Sequence, residues 1–384
     1  MAGFRRRGST LSRGRILITG AGGYIGHRLA RELLATTDSD LILWLHENGR
    51  PPVDQRSVAA LHTLVETKRV RLAGGDLGGD DPFRSIDARS ITGIVHAAAV
   101  TRFNVDPETA QRINVDGTRR VLHLAERCPS LESFNMLSTV YAAGLRQGQV
   151  REEPLDEASA FANEYERSKW RAESLVQESG SVPWRIFRIA TIIADDDQGR
   201  VIQQNAVHNT LKLLYYGLLP LVPGDPGVPL YFVTGDFVTT AIRTMMSPDV
   251  PSGTIAHVCH RRDESVTLDQ FISRVFDCFQ LDSTFLGRRA LKPLYVNGES
   301  FDLMVQEVAR FSSGILGQAV GSLAPFARQL SSAKTFANDT LRKFLPAYAA
   351  PDPIQLVSRT CEDLLATRFG MNPSAVAVPS PVQP

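Results

Sequence analysis

ILITGAGGYIG, Ile16 to Gly26, is an apolar run that breaks into four glycines within seven residues. The run reads as a strand, and the periodic YIGHRLARELLA that overlaps its end reads as a helix. Gly20, Gly23 and Gly26 set a GxxGxxG spacing between the two. The first glycine permits a tight turn, the second lets a pyrophosphate approach the backbone, and the third lets the helix pack closely on the strand. The helix N-terminus offers unbonded N–H groups and a partial positive charge to phosphates. The stretch therefore predicts a dinucleotide-binding turn, with Gly20, Gly23, Tyr24, Ile25 and Gly26 around the phosphates.

The same alternation continues outward from it. LILWL, VRLAG, GIVHAAAV, SFNMLST and WRIFRIATII read as strands, and INVDGTRRVLHLAE and NEYERSKWRAESLVQE as amphipathic helices between them. Apolar strands separated by such helices predict a parallel sheet covered on both faces, an α/β doubly wound Rossmann architecture. Beyond Ala194 come loops dense in Asp, Gly and Pro, DDDQGR and PLVPGDPGVPL, and then LYFV with the helical GDFVTTAIRTMM returning to the core. Past Val266 the stripes of TLDQFISRVFDCF, FDLMVQEVARF and DTLRKFL predict a mainly helical region. The expected division is a flexible basic leader at 1–13, a Rossmann domain at 14–265, a helical substrate-binding cap at 266–370 and a disordered tail at 371–384.

Composition narrows the function. The chain has 384 residues, 43% of them hydrophobic, and 42 basic against 41 acidic residues give a formal charge of +1. That balance supplies no field to recruit nucleic acid or an anionic membrane. No window is apolar for long enough to span a bilayer. Cys128, Cys259, Cys278 and Cys361 lie far apart and make no metal-ligand spacing, so they read as reduced thiols of a cytoplasmic protein. Asp195, Asp196 and Asp197 read as a solvated loop rather than a cation site.

Cofactor choice is read after the second strand, where an acid favours NAD(H) and a base a 2′-phosphate. His46 and Arg50 could hold that phosphate, and Glu47 could instead hold a 2′-hydroxyl; the expectation is NADP(H) in preference to NAD(H). Asp76 and Leu77, just after the third strand, are placed to flank an adenine, and Ala97 and Ala98 after the fourth join the cofactor set.

The chemistry is carried by YERSK and MLST. Tyr165 and Lys169 stand four residues apart on one helical face. A phenol is a poor acid–base group at neutral pH, and a neighbouring cation brings it toward working range. Thr139, with Ser138 before it, ends the fifth strand 26 residues ahead of Tyr165. A strand-end hydroxyl, a Tyr/Lys helix and a glycine loop are the parts of a hydride-transfer site. Tyr165 would exchange the proton, Thr139 or less plausibly Ser138 would bond the reacting oxygen, and Lys169 would tune the phenol and hold a ribose. His96 reads as a structural histidine and Asn114 as a tie between its helix and the neighbouring strand.

GxxGxxG, HAAA, NVDGT, LST and YxxxK, in this order, resemble the extended short-chain dehydrogenase/reductase superfamily over about Gly14 to Met246. IVHAAAVTRFN, NMLSTVYAAG, FRIATIIADDDQGR and LYFVTGDFV look most like its branch of fatty acyl-CoA reductases and thioester reductase domains, the male sterility type, and TFANDTLRKFL looks like a degraded form of that branch's C-terminal segment. His46 stands where the branch usually has an arginine, and TGDF replaces its Val-Asp-Tyr. The resemblance implies hydride reduction of an acyl thioester, or another carbonyl substrate, presented by CoA or a carrier protein, and a homodimer. The alternatives it leaves are an NAD-dependent nucleotide-sugar epimerase or dehydratase and a 3β-hydroxysteroid-type dehydrogenase. A non-catalytic nucleotide-sensing module is disfavoured by the presence of Thr139, Tyr165 and Lys169 together.

Overall fold

The computed structural model describes residues 14–46, 64–158, 160–311, 327–330 and 332–370. The leader, the tail, Glu47 and Arg50 lie outside the described residues. The chain divides into two compact units.

The first unit takes the chain up to Thr191, then Gly235–Arg262 and Ser332–Ala349. Its sheet has seven strands: β1 (Arg15–Thr19), β2 (Asp40–His46), β3 (Val70–Gly75), β4 (Gly93–His96), β5 (Ser133–Thr139), then, after a short outlying strand β6 (Gly148–Val150), β7 (Trp184–Ile189) and β8 (Thr254–Val258). The order is β8-β7-β5-β4-β1-β2-β3, and each pairing is parallel. This is the doubly wound sheet that the alternation predicted. Its central strands are apolar along their length because both faces are covered: Leu17, Ile18, Leu43, Ile94, Val95, Phe134 and Phe187 are all completely buried. The order reverses between β1 and β4, which opens a crevice at their C-terminal ends.

Helix α1 (Tyr24–Thr36) starts at Gly23. α2 (Asp116–Glu126) continues from a single π-helical turn, Gln111–Val115, and α3 (Glu164–Glu178) is capped by Asn163, whose side chain accepts from the Glu166 N–H at 3.0 Å. The helix Gly235–Met245 returns to this unit as expected. Its Asp236 pairs with Arg28 of α1, and its Arg243 lies 2.9 Å from Glu32. The late segment adds β9 (Lys334–Phe336), which pairs in parallel with β6.

The second unit comprises Ile192–Thr234, Asp263–Ser331 and the chain from Ala350. It is mainly helical, as predicted, with Ala206–Tyr215, Leu268–Phe279, Ser283–Arg288, Gly298–Phe311 and Pro353–Ala366, and it carries short strand pairs at Leu221–Pro223 with Leu294–Val296 and at Pro229–Leu230 with Val266–Thr267. Thr267 and Gln270 form a reciprocal capping box at the start of Leu268–Phe279. Asp195 and Asp196 are not solvated: both are buried, and Asp196 pairs with Arg200. Among the described residues no cluster could hold a metal ion, and no helix is long and apolar enough to cross a membrane. The four cysteines are free thiols, all buried.

Candidate active site

The glycine loop turns as its spacing demands. Gly20 has φ +69°, a left-handed conformation, and the Gly23 N–H donates to its carbonyl at 2.9 Å. A Cβ on Gly20 would stand 2.6 Å from the Ala98 nitrogen, and one on Gly26 would stand 2.2 Å from the Gly20 oxygen. Only hydrogen fits at either position, so β1, α1 and the strand-end segment Ala97–Ala98 approach each other closely. The N-terminus of α1, at Tyr24 and Ile25, is left with its N–H groups beside this turn. The Tyr24 ring lies against Arg28, whose guanidinium is 5.2 Å from the ring centroid. This cradle of backbone donors with no side chain in the way fits a pyrophosphate.

The two strands that flank the crevice are tied by a buried histidine. His96 ends β4 opposite Thr19 of β1. Thr118 donates its hydroxyl proton to the Asn114 carbonyl at 2.6 Å, so it accepts from His96 Nε2 at 2.9 Å. Nδ1 is then the bare nitrogen and accepts from the Thr19 hydroxyl at 2.8 Å. Burial, helped by the nearby Lys169 charge, pulls the imidazole down to about 3 and keeps it neutral. His96 is thus structural, as its sequence context suggested. Asn114, in the π turn, exchanges hydrogen bonds with both backbone groups of Val100 (2.8 and 3.0 Å) and donates to Ser168 of α3 at 2.9 Å.

Thr139 and Tyr165 come together at the end of β5. Both are buried; Thr139 Oγ1 accepts from the Tyr141 N–H at 3.3 Å, and its hydroxyl is near enough to act on the Tyr165 phenol. Burial is the largest influence on the Tyr165 phenol and raises its pKa above the ordinary value, outweighing the nearby Thr139 hydroxyl, which acts the other way. Lys169 donates to the Leu137 carbonyl at 2.8 Å, and burial brings its ammonium down to about 8. The lysine, which the sequence cast as the group that lowers the phenol, is therefore itself short of charge stabilisation. Phe103 walls the site edge-on, with its ring centroid 5.8 Å from that of Tyr165 and 5.9 Å from that of Tyr141. Tyr141 bonds Thr191 at 2.6 Å, and burial pushes it up to about 12.

Ser138 goes elsewhere. Its hydroxyl donates to Glu173, which also receives Arg188 through Nη2 at 2.8 Å and Nε at 3.0 Å. Arg188 has no exposed side-chain surface and Glu173 almost none. The guanidinium continues to His257 Nε2 at 3.4 Å, and His257 Nδ1 donates to the Ala337 carbonyl at 2.6 Å. Sequence reasoning missed this network, although Glu173 continues the four-residue spacing of Tyr165 and Lys169 along α3. It also missed Lys334, whose ammonium donates to the Gly144 carbonyl and is pulled down to about 8 by burial. No local pattern announces Lys334, because the contact joins residues 190 apart in sequence.

At the ends of β2 and β3, His46 Nε2 lies 3.6 Å from Asp76 Oδ1, and the same carboxylate oxygen accepts from the Gly78 N–H at 2.9 Å. Leu77, expected beside the adenine, is instead 4% exposed and belongs to the hydrophobic core under α2, packed against Gly117.

The male sterility protein family matches residues 18–242, more than half of the chain. The chain belongs to that family. Among curated relatives, the isonitrile lipopeptide synthase of Streptomyces coeruleorubidus is 26% identical over 216 residues, which are 52% of this chain and 14% of that protein. Fatty acyl-CoA reductase 1 of Xenopus laevis is 28% identical over 186 residues, 42% of this chain and 35% of that one. The chain thus spans about a third or less of the length of these relatives. Among solved structures, the terminal R domain from the myxalamid PKS-NRPS biosynthetic pathway superposes with a TM-score of 0.72 at 22% identity, covering 94% of this chain and 93% of that one. The fold is that of NAD(P)-binding oxidoreductases and epimerases, and the fatty acyl-CoA reductase branch is not singled out within it.

The expected preference for NADP(H) is corrected by the same comparison. UDP-glucuronic acid 4-epimerase from Bacillus cereus, which shares the fold with a TM-score of 0.63 at 17% identity over 91% of this chain and 99% of that one, was solved in complex with NAD. The site gives a physical reason: His46, counted toward a 2′-phosphate, stands beside the Asp76 carboxylate, which repels a second anion.

Proposed function

We propose that the chain reduces an acyl thioester by hydride transfer from a nicotinamide dinucleotide. The observation that carries the proposal is the buried Thr139–Tyr165 pair at the end of β5 with Lys169 one turn along α3, in the same unit as the glycine cradle. The residues present fit the dinucleotide: Gly20, Gly23, Tyr24, Ile25 and Gly26 would receive its pyrophosphate, Asp76 its adenosine end, and Lys169 its nicotinamide ribose. When bound, it supplies the hydride.

The chain's own groups supply the rest. Thr139 and Tyr165 would offer their hydroxyls to the carbonyl oxygen as it gains negative charge. The raised pKa keeps Tyr165 protonated at neutral pH, so it serves as proton donor in the reducing direction. Lys169, near the midpoint of its own titration at pH 8, can restore that proton. Hydride on the carbonyl carbon and a proton on its oxygen give a hemithioacetal, which collapses to an aldehyde as the thiol departs. The Ser138 hydroxyl is engaged with Glu173, which favours Thr139 as the oxygen-binding residue. All four cysteines are buried, consistent with a route that needs no thiol nucleophile.

A nucleotide-sugar epimerase is the second reading, supported by the shared fold with the Bacillus cereus enzyme. It would use the same three residues to oxidise and re-reduce one substrate. The two readings separate by stoichiometry: loss of nicotinamide absorbance that requires an acyl thioester supports the reductase, whereas retained NAD that never turns over with thioesters supports the epimerase. Tyr165→Phe should lower turnover by about 10²–10⁴ and leave dinucleotide affinity unchanged. Near-normal turnover in that variant would overturn both readings.

A further inference from the structure

In the second unit the helices Leu268–Phe279 and Pro353–Ala366 pack against each other. A hydrogen bond fixes their register: Arg274 Nε donates to Ser358 Oγ at 2.6 Å, and Ser358 gives its own proton to the Ile354 carbonyl at 2.7 Å. One turn further along each helix, in the same direction, stand Cys278 and Cys361. Both lie on the buried side of their helix, and each is the strongest influence on the other's ionisation, so the two thiols stand close together. Cys128 and Cys259 belong to the first unit, where Cys128 donates to the Leu124 carbonyl at 3.2 Å.

The surroundings make the two thiols unequal. The adjacent Cys361 draws Cys278 below the ordinary thiol range, and the Arg274 guanidinium acts in the same direction, together outweighing burial. Cys361 moves the other way, raised first by Cys278 and then by burial. The Glu362 carboxylate opposes thiolate formation at Cys278 without reversing that order. A thiol beside a cation forms thiolate more readily and is the better nucleophile, and a second thiol next to it can capture the product of its oxidation. Packed helices run about 8–10 Å apart, so residues that meet across the seam come within reach of the Cα separation of about 4.4–6.8 Å that a disulfide spans. Cys278 keeps 4% of its surface exposed and Cys361 none, which restricts the oxidant to one as small as a hydroperoxide.

We propose that Cys278 and Cys361 are a peroxide-oxidisable pair that closes a reversible disulfide between the helices Leu268–Phe279 and Pro353–Ala366. The Cys278 thiolate attacks one oxygen of hydrogen peroxide, the O–O bond breaks, and hydroxide leaves a sulfenic acid on Cys278. The Cys361 sulfur then attacks that sulfur, forming the S–S bond, while the sulfenic hydroxyl departs with the Cys361 proton as water. In sum two thiols give up two electrons and two protons, and one peroxide becomes two waters. An external thiol reverses the link by thiol–disulfide exchange. This inference is independent of the acyl thioester reading.

The test treats the reduced whole chain with a few equivalents of hydrogen peroxide, alkylates the remaining thiols after denaturation, and maps the peptides by mass spectrometry. Two thiols should be alkylated instead of four, with one peptide pair joined through Cys278 and Cys361 and released by dithiothreitol. Cys278 should be consumed at least about tenfold faster than Cys128, whose thiol burial pushes up to about 11. Cys361→Ser should leave a Cys278 sulfenic acid that dimedone traps, and Cys278→Ser should leave Cys361 an unmodified thiol. The map of the unmodified protein stands by itself if a variant fails to fold. Four thiols remaining after peroxide, a link that includes Cys128 or Cys259, a link between two chains, or a sulfinic acid at Cys278 with no link would each overturn the assignment.

Discussion

Lowering the pH from 7.5 to 5 should destabilise the first unit by about 4 kcal/mol through two histidines alone. His96 and His257 are both buried, and both are pulled from the ordinary 6.5 to about 3, His96 by desolvation and Lys169, His257 by desolvation and Arg188. Between those values the unfolded chain holds a proton on each imidazole that the fold refuses, so stability falls as pH drops through 6.5 and the loss flattens only near 3. At pH 5 each histidine lies roughly 1.5 units below its unfolded value, a penalty of about 2 kcal/mol apiece. Glu152, whose carboxyl is raised by burial, works in the opposite direction. A comparison with variants cancels that contribution, because it is common to all of them. His257→Gln keeps a donor for the Ala337 carbonyl and an acceptor for Arg188, and His96→Gln can bridge Thr19 and Thr118. Urea unfolding at the two pH values should show the unmodified protein losing several kcal/mol and the double variant losing little. Equal losses in the two proteins would refute the assignment of neutral, buried imidazoles.

The glycine loop and the buried ion pair make further predictions. Gly26→Ala places a methyl 2.2 Å from the Gly20 carbonyl oxygen and 2.9 Å from the Ala21 Cα, both backbone atoms that cannot step aside, whereas at Gly23 the nearest atom is 3.2 Å away. Dinucleotide affinity by titration should therefore fall by about tenfold or more for Gly26→Ala and much less for Gly23→Ala; the reverse ranking would show that the loop does not hold the pyrophosphate. Glu173→Gln leaves the fully buried Arg188 without its carboxylate and should destabilise the fold by about 3–5 kcal/mol, measured by denaturant unfolding. Thr139→Val, which removes the acceptor for the Tyr141 N–H, should cost only about 1–2 kcal/mol of stability and lower turnover by about 10²-fold or more.

What the sequence disclosed was what is local. The GxxGxxG turn is written in seven residues, and Tyr165 with Lys169 in five, because a turn and a helix face are fixed by neighbours along the chain. The parallel sheet was legible for the same reason, as a rhythm of strand and helix. The misreadings concern pairs distant in sequence. Along the sequence His46 reads as a cation awaiting a phosphate, but Asp76, thirty residues on, reaches its ring. Leu77 reads as a surface for adenine, but its side chain packs under α2. The segment around Lys334 read as part of a helical cap, yet as β9 it pairs with β6 in the first unit.

These distant contacts bear on the chemistry through burial. The sequence placed a lysine four residues from a tyrosine and so predicted a phenol drawn downward, on the premise that Lys169 is a free charge. In the fold the ammonium is itself buried, tied to the Leu137 carbonyl, and lowered to about 8. Desolvation acts on both partners, raising the phenol and lowering the amine, so it disfavours the phenolate–ammonium pair and leaves Tyr165 as a proton donor. That state serves reduction, where the substrate oxygen must receive a proton, better than oxidation, where Tyr165 would have to start as the base. The pH–rate profile distinguishes the two: reduction should be flat through neutrality and decline as Lys169 deprotonates near pH 8, whereas a rate rising with pH across that range would mean that Tyr165 works as a base and would favour the oxidising first step of an epimerase.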